Sequence, residues 1–221
     1  MQASLRPRVK ICCIATLQEA VMAIRHGASA IGLVSQMPSG PGVISENSIA
    51  EIAARVPPPI ASFLLTCKQD VGSIVAQQRR CGTSTVQICD SLIQGNYAEL
   101  RRAMPGIGIV QVIHVVGPSS VDEARAVAPE VDAILLDSGN PSVAIKELGG
   151  TGRRHDWKLS RKIRESIDVP LFLAGGIKPE NVREAIDEVR PFALDICSGV
   201  RSNGTLDERK LEALFAALEC A

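Results

Sequence analysis

Eight short stretches of the chain are almost continuously apolar: RVKICCI (8–14), SAIGLVS (29–35), PIASFLLT (59–66), STVQIC (84–89), GIVQVIHV (108–115), VDAILLD (131–137), VPLFLAG (169–175) and FALDICSG (192–199). Eight stretches with helical spacing lie between and after them: 17–27, 46–56, 70–80, 96–104, 120–128, 156–166, 179–189 and 206–218. Unbroken apolar runs, as opposed to an apolar–polar alternation, mark strands covered on both faces, as in a parallel sheet. Eight such β–α units in 221 residues predict an α/β fold, a single (β/α)8 TIM barrel spanning residues 1–221 as one domain. That is slightly below the usual size of about 250 residues. A doubly wound sheet is the less favoured arrangement, because it rarely uses eight strands in this rhythm.

Helix punctuation agrees with the count. Ser45 stands where a cap is expected, and Pro179 followed by Glu180 predicts the first turn of the seventh helix. In the last helix Leu211, Leu214, Phe215 and Leu218 form an apolar stripe suited to docking on the barrel.

Composition then narrows the function. The chain is 46% hydrophobic, enough for a substantial core, and its 24 basic and 24 acidic residues cancel. A nucleic-acid or membrane-surface binder would show a basic excess or stripe. One Trp, one Tyr and four Phe also leave little for base stacking. Seven cysteines, an odd number without a CxxC pair, argue against a disulfide framework and a structural zinc site. Reduced thiols in a cytoplasm fit best. The opening MQASLRPR has no signal-type apolar stretch, and no run approaches the roughly 18 apolar residues of a spanning helix.

In such a barrel the chemistry sits at the C-terminal ends of the strands. The first strand ends in Cys12 and Cys13. Alternation sets Lys10, Cys12 and Ile14 on one side and Ile11 and Cys13 on the other. One cysteine is therefore expected in the pocket and its neighbour against the helices. Asp137 closes the sixth strand after an unbroken apolar run, where desolvation raises a carboxyl pKa and suits a general acid. The long loop that follows, SGNPSVAIKELGGTGRRHDW, has the length of a lid, with Gly149, Gly150 and Gly152 free to approach a ligand. Glycines after the last two strands, Gly175 and Gly176 with Ser198 and Gly199, are placed to cradle a phosphate on backbone N–H groups. A phosphorylated small molecule is the expected substrate. His114 reads as a polar barrel-layer residue, and His155 with Asp156 and Trp157 as a helix start.

Five segments together, VKIC (9–12), LLDS (135–138), GGTGRRHDW (149–157), LAGGIKPENVREAI (173–186) and LDICSGV (194–200), resemble phosphoribosylanthranilate isomerases of tryptophan biosynthesis. The resemblance runs over the whole chain and is densest after residue 131. It implies an Amadori rearrangement of an N-(5-phosphoribosyl) arylamine, with Cys12 as general base and Asp137 as general acid. It also implies a phosphate site at Gly175, Gly176, Asp195, Ser198 and Gly199, and a substrate loop including Gly150, Gly152 and Arg153. No metal or organic cofactor is implied, and the protein would be a monomer or homodimer. A thiolate is required of Cys12, and Lys10 would assist if it faces the same way. Three departures stand out. Gly42 lies where the family usually carries an arginine for the anthranilate carboxylate, with Lys146, Arg153 and Arg154 as possible substitutes. Cys89 and Asp90 replace a histidine and a glycine, and Cys13, read as structural, replaces a glycine. Two other readings stay open: a related enzyme for another phosphorylated substrate, and a relic without turnover. The retained Cys12 and Asp137 speak against the relic.

Overall fold

The structure is a computed structural model that describes residues 7–219; the opening residues 1–6, Cys220 and Ala221 lie outside them. Eight parallel strands close into a barrel in chain order, each hydrogen-bonded to the next and β8 to β1. They are β1 Arg8–Ile11, β2 Ala30–Val34, β3 Ala61–Thr66, β4 Thr85–Ile88, β5 Gly108–His114, β6 Ala133–Asp137, β7 Leu171–Leu173 and β8 Ala193–Ile196. The helices α1 Leu17–Arg25, α2 Glu46–Ala53, α3 Val71–Cys81, α4 Tyr97–Ala103, α5 Ser119–Val127, α6 Trp157–Glu165, α7 Val182–Val189 and α8 Glu208–Glu219 each follow a strand. This is the expected TIM barrel. No helix among the described residues is long and apolar enough to cross a membrane.

The near-continuous apolar runs have their cause in two separate cores. Alternate residues such as Ile11, Ile31, Leu64, Ile109, Ile134 and Leu194 point outward and pack against the helices. Their neighbours in sequence, including Ala30, Phe63, Val110, Val112, Leu135 and Phe172, fill the barrel interior. Each strand is apolar at every position because each face has its own core.

Helix boundaries follow local chemistry. The Ser45 and Asp156 side chains cap α2 and α6 by accepting backbone N–H bonds from Ser48 and from Lys158 and Leu159. At α7 the expectation is corrected: Pro179 and Glu180 lie in the turn ahead of the helix, which starts at Val182. The cause is Asn181, whose side chain accepts from Lys178 N–H and donates to the Gly176 carbonyl, holding a turn there. In α8 Leu211 and Leu214 are fully buried, with Phe215 and Leu218 packed against the same core.

Beyond β8 the chain adds a hairpin absent from the sequence reading, β9 Arg201–Ser202 and β10 Thr205–Leu206. It carries a buried clasp. Arg201 pairs with Glu19 at 3.1 Å and donates to the carbonyls of Cys12 and Cys13. Glu19 also accepts from Ala15 N–H and Leu206 N–H. Burial opposes its charge, but the Arg201 bond and the two backbone N–H groups outweigh that and hold the carboxyl below its ordinary 4.5.

Removing one partner of a buried pair leaves the other unpaired, so Arg201→Met should lower unfolding free energy by about 3–5 kcal/mol, read by urea denaturation. Because the Glu19 pKa is depressed, its contribution is present above pH 4.5 and is lost as pH falls through the folded-state value. The deficit of a Glu19→Gln variant should therefore shrink in acid.

Candidate active site

The C-terminal ends of the strands surround an open cavity. Its lining includes Cys12, Asp137, Gly150, Gly152, Gly175, Gly176, Asp195 and Ser198. Gly199 and Arg153 are outside the lining. Gly199 is instead packed on the loop after β7, where an added Cβ would lie 2.0 Å from the Ile177 carbonyl oxygen.

The floor is organised by Lys10, which is 0% exposed. Its Nζ lies 2.9 Å from Asp195 Oδ1, 2.9 Å from Gln87 Oε1 and 3.7 Å from Cys12 Sγ. It also sits 5.1 Å from the centre of the Phe63 ring. Burial alone would lower a lysine pKa; the Asp195 carboxylate, and then the Cys12 thiol, reverse this and drive it up. The result is a permanently charged ammonium beside the Cys12 sulfur. Gly32 makes room for this arrangement, since a Cβ there would lie 2.8 Å from Cys12 Sγ and 3.2 Å from Lys10 Cε.

Asp195 therefore has a different surrounding from the one expected of a phosphate ligand. Its carboxylate faces the buried ammonium, and an ionised carboxylate offers a phosphate no donor.

Strand alternation fails at one residue. Lys10 and Cys12 share the inward side, as parity requires. Cys13 takes a left-handed backbone, φ +62°, and this reverses the parity. Both cysteines consequently line the cavity, while Ile14 joins the outer core with Ile11. Cys13 was expected against the helices. A left-handed backbone is unfavourable for most side chains, and no pattern of apolar positions reveals it.

Asp137 occupies the opposite wall. Its Oδ1 accepts from Ser138 N–H at 2.7 Å. Burial pushes the carboxyl above its ordinary 3.8, with the Ser138 bond pulling the other way. The lid, residues 138–156, crosses directly above. Gly149, at φ +138°, comes so close that a Cβ would stand 2.8 Å from Asp137 Oδ2. The lid is anchored to the loop after β2 by Ser39 Oγ, which donates to the Lys146 carbonyl at 2.7 Å. Ser138 and Thr151 hydroxyls close its base at 2.6 Å.

The cations considered as carboxylate partners are already engaged. Lys146 pairs with Asp90 at 2.5 Å, Arg153 pairs with Glu147, and Arg154 pairs with Glu184 while stacking on Trp157. Cys89 forms part of the cavity wall. His114 points inward at the top of β5, its Nε2 in contact with the Cys89 carbonyl at 3.0 Å. His155 contacts Ser160 Oγ at 2.7 Å, and burial takes its pKa down to about 4.

Gly42 has a structural counterpart in Cys13. At φ +79°, an added Cβ would lie 2.5 Å from Cys13 Cβ. The two departures from the family pattern are thus in contact, and a side chain at position 42 would meet both the Cys13 side chain and, at 2.9 Å, its Cα.

Comparison with known proteins gives the same family by three routes. The family model described as N-(5'-phosphoribosyl)anthranilate (PRA) isomerase matches residues 9–217. N-(5'-phosphoribosyl)anthranilate isomerase 2 of Methanosarcina mazei is 36% identical over 206 residues, which are 92% of this chain and 90% of that protein. A phosphoribosyl anthranilate isomerase crystallised with reduced 1-(o-carboxyphenylamino)-1-deoxyribulose 5-phosphate has a TM-score of 0.78 at 26% identity, covering 97% of this chain and 100% of the other. Monomers generated from the dimeric isomerase of Thermotoga maritima superpose with a TM-score of 0.79 at 25% identity, over 97% and 100% of the two chains.

Two outcomes follow from this geometry. Asp137→Asn removes a carboxyl whose folded-state pKa is raised, a group that costs stability once pH exceeds 3.8. In urea unfolding the variant's advantage over the parent should grow as pH rises through the folded-state pKa and then level off. Gly42→Arg should destabilise by about 1–3 kcal/mol through overpacking against Cys13 and through the left-handed backbone at position 42, with only the side-chain part of that cost relieved in a Cys13→Gly background; a double-mutant cycle reads the coupling.

Proposed function

The chain belongs to the phosphoribosylanthranilate isomerase family, and we propose that it converts N-(5-phosphoribosyl)anthranilate to 1-(o-carboxyphenylamino)-1-deoxyribulose 5-phosphate, with Cys12 as general base and Asp137 as general acid. The observation that carries the residue roles is the placement of these two groups on opposite walls of one cavity, the sulfur beside a buried ammonium and the carboxyl under a lid.

The reaction needs two proton movements. Asp137, its pKa raised by burial, donates a proton to the furanose ring oxygen, and the C1–O bond breaks to leave an iminium ion at C1. Cys12, as thiolate, then removes the C2 proton, and the electron pair flows into the iminium to give an enolamine. Tautomerisation yields the ketone. The iminium is the electron sink, so this route calls on no organic cofactor. Lys10 supplies the fixed positive charge next to the sulfur, and Asp195 with Gln87 keeps that charge in place.

The phosphate end is assigned to the backbone N–H groups of Gly175, Gly176, Ser198 and Gly199. Positive φ at Gly175 and Gly176, +82° and +67°, turns that loop toward the cavity, and Gly199 lets the β8 loop pack close beside it. Gly150 and Gly152 belong to the lid over the substrate, with Arg153 bracing it through Glu147. The protein acts as a single barrel domain, as a monomer or homodimer; both forms are represented by the Thermotoga isomerase. A reducing cytoplasm suits its free thiols.

Freshly made phosphoribosylanthranilate should lose its anthranilate-type fluorescence on addition of the protein. Cys12→Ala and Asp137→Ala should each reduce kcat on the order of a hundred- to ten-thousand-fold. Full turnover in either variant would remove that residue from the mechanism, and no turnover in the parent would overturn the substrate.

A further inference from the structure

The proposed mechanism leaves three cavity thiols unused, those of Cys13, Cys89 and Cys197. β1 and β8 are neighbours, with Cys12 N–H bonded to the Ile196 carbonyl at 2.8 Å. One residue further along each strand, the left-handed backbone of Cys13 turns its side chain into the cavity. There its Sγ meets Cys197 Sγ at 2.8 Å. That is closer than an ordinary contact between two sulfurs, and both residues line the cavity. We propose that Cys13 and Cys197 form a redox-active dithiol at the cavity rim, which a peroxide oxidises to a disulfide that weakens binding of the substrate's phosphate end.

Geometry favours this pair over the other thiols. A disulfide needs an S–S separation of about 2.05 Å, so the sulfurs close by less than about 1 Å. Cys81 and Cys89 are 0% and 1% exposed, whereas Cys197 is only half-buried and is reached through the cavity that admits substrate. The two thiols are also unequal. The contact with Cys13 pulls the Cys197 pKa down against burial, with Arg201 adding to the effect, while the neighbouring Cys12 thiol, then Cys197 and burial, hold Cys13 up. One sulfur thus carries thiolate character and its neighbour keeps the proton.

The chemistry balances with the peroxide as oxidant. The Cys197 thiolate attacks a peroxide oxygen; an S–O bond forms, the O–O bond breaks, and with protonation a sulfenic acid and one water result. Cys13 sulfur then attacks that sulfenic sulfur, the S–S bond forms, the S–O bond breaks, and a second water leaves. Two thiols and one hydrogen peroxide give one disulfide and two waters, and a dithiol reductant reverses the change.

The new bond would join two parts of the rim. Cys197 directly precedes Ser198 and Gly199, whereas Cys13 touches the loop after β2 through the Pro41 carbonyl at 3.6 Å and through Gly42. Tying them draws the β8 loop toward β1 and away from its packing on Ile177. The effect on KM rests on the phosphate assignment above, but formation of the bond does not.

The test treats reduced full-length protein with stoichiometric hydrogen peroxide, blocks remaining thiols with an alkylating agent, and maps peptides without reduction. The expected product joins the Cys13 peptide to the Cys197 peptide with loss of two hydrogens, is reversed by dithiothreitol, and is absent in Cys13→Gly and Cys197→Ser. Oxygen added at Cys12, a disulfide involving Cys12, or a Cys13–Cys197 pair that stays alkylatable would overturn the site. The oxidised parent should show a several-fold higher KM for phosphoribosylanthranilate; an unchanged KM with the disulfide in place would overturn its link to the phosphate end.

Discussion

A single buried charge sets the layout of the barrel interior. Lys10 is wholly removed from water, which is tolerable only with its charge matched and its hydrogens bonded. Asp195 from β8 and Gln87 from β4 meet those needs at 2.9 Å each. Satisfying one ammonium therefore draws three strands into a fixed relation, and the register that pairs Lys10 with Asp195 across β1 and β8 is part of it. Cys12 then follows on the same side of β1, two residues on, with its sulfur beside the charge. The same charge also acts on the neighbouring Cys89. It is fully buried, and desolvation, with the Cys12 sulfur adding to it, drives its pKa far up in spite of Lys10, so it stays a neutral thiol.

Above that floor, the rim is a set of close contacts in which each small residue answers a larger one. Gly42 gives way to Cys13, Gly149 to Asp137, and Gly150 to Pro41, where a Cβ would lie 2.5 Å from Pro41 Cδ. The lid, the loop after β2 and the end of β1 consequently pack as one body. The Arg201–Glu19 clasp supports that body from beneath by binding the carbonyls of Cys12 and Cys13. In this setting the glycine at position 42 answers both the close approach of Cys13, backbone included, and its own left-handed φ.

Much of this was legible in the residues alone, for a physical reason. Strands buried on both faces must be apolar throughout, so the eight runs read as a barrel, and the strand-end rule leads from there to Asp137 and to the Cys12–Cys13 pair, between which the family resemblance chooses. The parity of β1 correctly joined Lys10 to Cys12. What was not legible depended on backbone conformation or on partners distant in sequence. The left-handed turn at Cys13 put a second thiol into the cavity, and Asn181 delayed α7. Asp195 proved to face an ammonium, and the contact between Cys13 and Cys197 spans 184 positions. The hairpin after β8 was missed because each of its strands is only two residues long.

The most direct measurement is a crystal structure of the protein with reduced 1-(o-carboxyphenylamino)-1-deoxyribulose 5-phosphate. The phosphate should rest on the backbone N–H groups of Gly175, Gly176, Ser198 and Gly199, with C2 of the sugar chain in contact with Cys12 Sγ and the oxygen derived from the ring facing Asp137. A phosphate bound elsewhere, or a sugar chain that leaves Cys12 and Asp137 on the same side or out of contact, would contradict the account.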